Sequence, residues 1–202
     1  MQTTKKKRND IATAWAEIVH AWRFGGRPRL QYLNLRYANF NETDMHGAWG
    51  HLADFGLSNL RAVDATGLRA NGARFVGATA IEACFLDADL NESDWHGADA
   101  SGASFTAANL WGACFLNAAL SHARLVGAQL ARANLGRANL VGAVGLGAQL
   151  TRVYAFAADF RDADFRGANF DEGYLCGADF TGARLDGATF RDADTRGAKG
   201  LP

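Results

Sequence analysis

The sequence predicts an all-β solenoid closed at its N-terminal end by a short α-helix. Two observations carry this. A five-residue period keeps its register from about residue 30 to residue 199, and residues 8–22 instead show apolar side chains at helical spacing. The first excludes both regular elements. Five steps of about 100° scatter successive positions around a helix, and on a flat strand they send them to opposite faces.

The period is plainest in "ARLVGAQLARANLGRANLVGA" (123–143). Let i be each position divisible by five. From Phe40 to Phe190, 24 of 31 such positions are Leu, Phe, Met or Trp, and at i−2, from Ala38 to Ala198, 26 of 33 are Ala, so a large and a small residue share one interior. Position i−1 favours Asp, Asn or Arg and points outward, while i+2 is commonly Gly. Glycine suits a corner where backbone sterics are tightest, and the small residue at i−2 leaves room for the large one at i.

The units "ANLVG" and "ADFRG" follow A(D/N)LxG, and residues 30–199 resemble the pentapeptide repeat family. The resemblance implies a right-handed quadrilateral β-helix with four pentapeptides per turn, hence about eight coils over 28–202, stacked at about 4.8 Å. Residues twenty apart then form interior columns such as Leu90, Leu110, Leu130, Leu150, Phe170 and Phe190. Small central residues at Gly50, Ala65, Ala70, Ala80 and Ala100, and again at Gly145 and Ala155, predict loose or distorted packing, with Trp95 and nearby phenylalanines filling space.

A solenoid must close its ends, because each exposes core and strand edge. Residues 1–27 read as a basic tail, "KKKR" at 5–8, solvated and disordered, followed by a capping helix. Ile11, Trp15, Ile18 and Trp22 form its covering face, Asp10 is its N-cap, and Gly25-Gly26 ends it. At the other end Thr195 and Gly200 stand where large residues belong. The resemblance implies a homodimer through the C-terminal coils.

Composition narrows the function. Net charge is zero, with 21 basic and 21 acidic residues, so charge alone marks neither a nucleic-acid binder nor an acidic protein. Three cysteines without a CxxC pair read as reduced thiols in a cytoplasmic protein. No apolar run reaches the roughly 18 residues of a membrane span. No P-loop, GxSxG, HExxH or dinucleotide fingerprint occurs, so the chain reads as no enzyme and needs no cofactor. "NETDMHGA" (41–48) and "NESDWHGA" (91–98) look like a duplicated Asp/His site, but they fall two and a half coils apart, on opposite sides. They read as outward repeat positions and not as one metal site.

Surface pattern remains. Residues 100–158 contain no acid. This band also places apolar residues outward, and the candidate partner surface is Trp111, Leu116, Val126, Arg132, Arg137, Val141, Leu146, Tyr154, Phe156 and Tyr174, with the two tyrosines expected to stack. Acids flank the band: Glu42, Asp54, Glu82, Asp87, Asp89, Glu92, Asp94 and Asp99 before it, and Asp159, Asp162, Asp164, Asp171, Glu172 and Asp179 after it. The resemblance implies that such carboxylates stand in for DNA phosphates, letting the rod bind a type II DNA topoisomerase (gyrase or topoisomerase IV) and protect it from a poison, without binding nucleic acid or membrane. The alternative is a protein-interaction scaffold with an unrelated partner. The topoisomerase reading comes first, and the acid-free middle is where it is weakest, since a mimic needs sustained negative potential.

Overall fold

The computed structural model describes residues 2–201; the side chains of residues 2–9 and of Trp22 lie outside the described residues, so the part assigned to Trp22 does too. One helix, α1 (Gln2–Phe24), precedes the solenoid. It ends at Gly25, whose φ of 69° and N–H bond to the Ala21 carbonyl (2.8 Å) form a left-handed cap. The basic tail read at residues 5–8 falls on positions whose side chains lie outside the described residues. Asp10 lies within α1 and is not its N-cap.

Asp10 has a different task. Each coil hangs from the one before through N–H bonds to its carbonyls, and the first coil has no predecessor. The Asp10 carboxylate accepts from the Asn34 N–H (3.1 Å) and Glu17 from the Arg29 N–H (3.3 Å), in place of those missing carbonyls. Ile18 is fully buried, Ile11 and Trp15 pack on the core, and the Trp15 ring lies 5.6 Å from Phe40.

From Arg29 to Lys199 every fifth residue bridges in parallel to the residue twenty further on, on all four walls of each coil. The bonding accounts for the period. Within each pentapeptide the N–H groups of i and i+2 donate to the next coil, that of i−1 to the preceding coil, and that of i−2 back to the i carbonyl three residues earlier. Only the i+1 N–H is left over. Where i−1 is Asp or Asn its side chain generally accepts from it, as Asp54 does from Gly56 (2.9 Å) and Asn134 from Gly136 (3.0 Å), whereas Asp89 accepts from the Asn109 side chain. A buried unpaired N–H would be costly, so this bond explains the repeated acid and amide at i−1.

Every corner residue at i+2, from Tyr32 to Gly197, has positive φ. With the i+3 to i bond this is a type II-like turn. Many of these corners are not glycine: Leu52, Ala62 and Ala107 sit at φ of 50–56°.

The expected distortion at small central residues is absent, and the bridge register runs unbroken past them. Size is exchanged between neighbours instead. Val63 precedes Ala65, Leu68 precedes Ala70 and Val153 precedes Ala155, all buried. Trp95 stacks on Phe75 at 4.0 Å and meets Phe85 and Phe105 edge-on, filling the space beside Ala80 and Ala100. At Gly145 the Phe165 ring occupies the place a Cβ would take.

Candidate interaction surface

Name the walls by the coil 132–151: side one is centred on Leu135, side two on Leu140, side three on Gly145 and side four on Leu150. Residues twenty apart share a side. This register sorts the candidate residues.

The carboxylates do not form one strip. Asp54 and Asp94 lie on side one, Asp99, Asp159 and Asp179 on side two, Asp164 on side three and Asp89 on side four. Glu42, Glu82 and Asp162 share the corner after side two, Asp87 follows side three, and Glu92, Asp171 and Glu172 follow side four. Most are occupied locally. Asp54, Asp94, Asp99, Asp159, Asp164 and Asp179 each accept the N–H two residues on. Glu82 pairs with Arg61, Glu172 with Arg152, and Asp171 with Arg191.

The C-terminal acids are the most neutralised. In "DFR" at 159–161 and 164–166 and "DTR" at 194–196 the arginine folds back onto the aspartate, with Arg161 Nη2 2.7 Å from Asp159 Oδ2 and Arg196 Nη2 2.6 Å from Asp194 Oδ2. These guanidinium bonds hold the Asp159, Asp164 and Asp194 carboxyls below the usual carboxylate range. A strip of free phosphate-like charge is not built from such pairs.

The apolar residues do gather. Tyr32, Tyr37, Leu52, Leu57, Trp111, Tyr154, Phe156 and Tyr174 are the exposed large apolar residues of side one and its two corners; elsewhere on the described solenoid Trp49 alone joins that class. Tyr154 and Tyr174 stack as expected, at 5.0 Å. The register divides the candidate surface between walls. Trp111, Leu116, Arg132, Arg137, Tyr154, Phe156 and Tyr174 belong to side one, whereas Val126 and Leu146 share the corner after side three and Val141 the corner after side two.

Sequence reasoning missed Tyr32, Tyr37, Leu52 and Leu57. They occupy i+2 corners, where glycine is expected, and only the twenty-residue register aligns them with Tyr154. Leu52 and Leu57 rest on Gly72 and Gly77 of the next coil, where a Cβ would collide with the leucine methyls (2.8 Å).

His46 and His96 sit beside Asp44 and Asp94, but each aspartate accepts the histidine backbone N–H. Among the described residues no cluster of metal-ligating side chains occurs, and no helix is long and apolar enough to cross a membrane. Cys84, Cys114 and Cys176 are unpaired and half-buried.

The family described as pentapeptide repeats matches in 8 copies, over residues 58–94, 83–121, 113–144, 123–154 and 158–194. That is more than half the chain, and it indicates a right-handed β-helix type of fold. No curated protein sequence matches. Among solved structures the chain is similar to QnrB1, named a plasmid-mediated fluoroquinolone resistance protein, at 19% identity and a TM-score of 0.52 over 76% of this chain and 82% of that one. It is also similar to HetL, a protein involved in heterocyst differentiation regulation from the cyanobacterium Nostoc sp. strain PCC 7120, at 25% identity and a TM-score of 0.35 over 91% of this chain and 95% of that one. A thylakoid lumen pentapeptide repeat protein from Arabidopsis thaliana is 29% identical, with a TM-score of 0.23, over 52% of this chain and 63% of that one.

Proposed function

We infer the function from one premise: the chain belongs to the pentapeptide repeat family. It is a non-enzymatic binding protein, needing no cofactor, whose rod meets a protein partner along side one. The observation that carries this is the concentration of exposed large apolar side chains on one wall of four. Scattered singly they would mean little, but an aligned set is a contact surface. Replacing Trp111, Leu116 and Phe156 together by Ser tests it. The variant stays folded, because all three point outward, and loses the partner that the wild type pulls down; a retained partner overturns the reading.

A partner-specific form of the reading is a type II DNA topoisomerase protected from a poison. Its support is the family, the likeness in fold to QnrB1, and the carboxylates of Glu42, Asp87, Asp89, Glu92, Asp94 and Asp99, which form no ion pair among the described residues. Gyrase supercoiling and drug-induced cleavage with added protein test it. Protection from the drug supports it, and no effect on either reaction across a wide concentration range overturns it. The other form is a scaffold or regulator with an unrelated partner.

The C-terminal coils serve a second copy of the chain. In support, Leu185 and Phe190 are only partly buried, and with Ala183 and Leu201 they leave interior side chains accessible at that end. Sedimentation of Phe190→Asp beside wild type tests the dimer, which the substitution should split; a monomeric wild type contradicts it. The three free thiols support a cytoplasmic location.

A further inference from the structure

The reading of side one as the partner surface can be taken further, because the coil in its middle has a chemistry of its own. In residues 132–137 the wall carries Asn134 and buried Gly136, both small. A Cβ at Gly136 would already touch Leu116 Cδ1 at 3.1 Å. Trp111 and Leu116 belong to the coil before this wall, and Tyr154 and Phe156 to the coil after it. The low wall at Asn134 and Gly136 is thus a trough one coil wide in the sequence of wall residues, bordered by four apolar side chains, with Leu116 leaning over Gly136.

An arginine stands at each end of the trough. Arg132 lies over the Trp111 ring at 5.9 Å and Arg137 over the Phe156 ring at 6.0 Å. Neither is within ion-pair distance of a carboxylate among the described residues, unlike Arg152, which is held by Glu172 at 2.7 Å. Residues 100–158 supply no acid to neutralise them. Beyond the trough the sign reverses, with Glu92 and Asp94 toward the N-terminal end and Asp192 and Asp194 toward the C-terminal end.

We propose that this trough receives a short acidic segment of the partner protein, extended across the wall, with carboxylates on Arg132 and Arg137 and apolar side chains against Trp111, Leu116, Tyr154 and Phe156. An arginine already oriented over an aromatic ring gives a carboxylate a preorganised donor fork. A segment of about five extended residues spans about 17 Å, enough to reach from corner to corner. The reversal of charge on both sides selects against a nucleic acid strand following the rod, whose phosphates would run onto the flanking carboxylates.

Fluorescence polarisation with three short labelled probes tests this: a peptide alternating Glu with Leu, its Lys counterpart, and an oligothymidylate. The Glu peptide should bind, and the Arg132→Glu, Arg137→Glu double variant should weaken it by about tenfold or more, as should raised salt to a lesser degree. Both arginines are exposed corner residues, so circular dichroism and melting of the variant should match wild type. Equal or tighter binding of the Lys peptide or of the oligothymidylate overturns the proposal. So does Glu-peptide binding that ignores the double substitution, or no Glu-peptide binding at all. If the peptide fails while Trp111, Leu116 and Phe156 substitution still removes the partner, the acidic segment is wrong and side one stands. If both fail, so does the surface.

Discussion

The rings of Tyr154 and Tyr174 lie 5.0 Å apart with 1° between their planes. Their positions are twenty residues apart, so they occupy the same place in successive coils. Coil spacing of about 4.8 Å is itself a comfortable stacking distance, so identical aromatic residues at this interval stack wherever the register puts them. Inside the rod the same rule stacks Phe160 on Phe180 at 4.6 Å and Phe170 on Phe190 at 5.1 Å. On the outside it turns single aromatic residues into a ladder, and that ladder is half exposed.

The Trp95 indole is held by one buried partner. Its N–H donates to Ser93 Oγ at 2.8 Å, and that hydroxyl donates to the Leu90 carbonyl. Ser93→Ala leaves the indole N–H without an acceptor in a fully buried setting. We expect a loss of about 1–3 kcal/mol in denaturant unfolding. A change within about 0.5 kcal/mol, the range of surface substitutions, would show that Trp95 finds another acceptor.

Two single-methyl substitutions should move stability in opposite directions. Gly145→Ala drives a methyl into the Phe165 ring and should cost about 1–3 kcal/mol by overpacking. Ala107 is a corner residue at φ of 56°, where an L side chain is strained. Ala107→Gly should stabilise by up to about 1 kcal/mol, the relief of left-handed strain outweighing the greater freedom of the unfolded chain. Midpoints from the same unfolding series decide both, and the same sign for the two would refute the geometry.

Acid should loosen the C-terminal coils first. Asp159, Asp164 and Asp194 are held below their ordinary range by hydrogen bonds from Arg161, Arg166 and Arg196, so the folded chain binds these protons less readily than the unfolded one. Their contribution is complete above the unfolded carboxylate pKa of about 4 and disappears as pH falls through the lower folded values. Hydrogen exchange followed from pH 6 downward, corrected for intrinsic rates, should therefore show a flat profile to about pH 4 and then earlier loss of protection in residues 159–199 than in 100–158. Uniform loss along the rod would contradict this.

The interior was legible in the sequence because two positions in every five face inward and their sizes repeat. Ala128, Leu130, Ala133 and Leu135 announce the wall without help from any distant residue. The compensation of Ala65 by Val63 was less visible, since it depends on which of two inward positions is larger. Asp10 was misread because a lone Asp before an apolar run suits an N-cap; only the edge of the first coil shows that Asn34 needs its carboxylate. The surface was half legible. Outward positions could be named one by one, but whether Trp111 and Val126 share a wall depends on residue number modulo twenty, and Tyr32 joins Tyr154 only by that count.

The most direct test of side one uses four equivalent wall positions in a single coil. Asn134, Asn139, Val144 and Gln149 each occupy i−1, on sides one, two, three and four. A photo-crosslinking amino acid is placed at each in turn, and the adducts formed in the cell are compared. Asn134 should crosslink to a partner protein while the other three give background. Equal crosslinking from all four, or a partner captured from Asn139, Val144 or Gln149 and not from Asn134, would contradict the account.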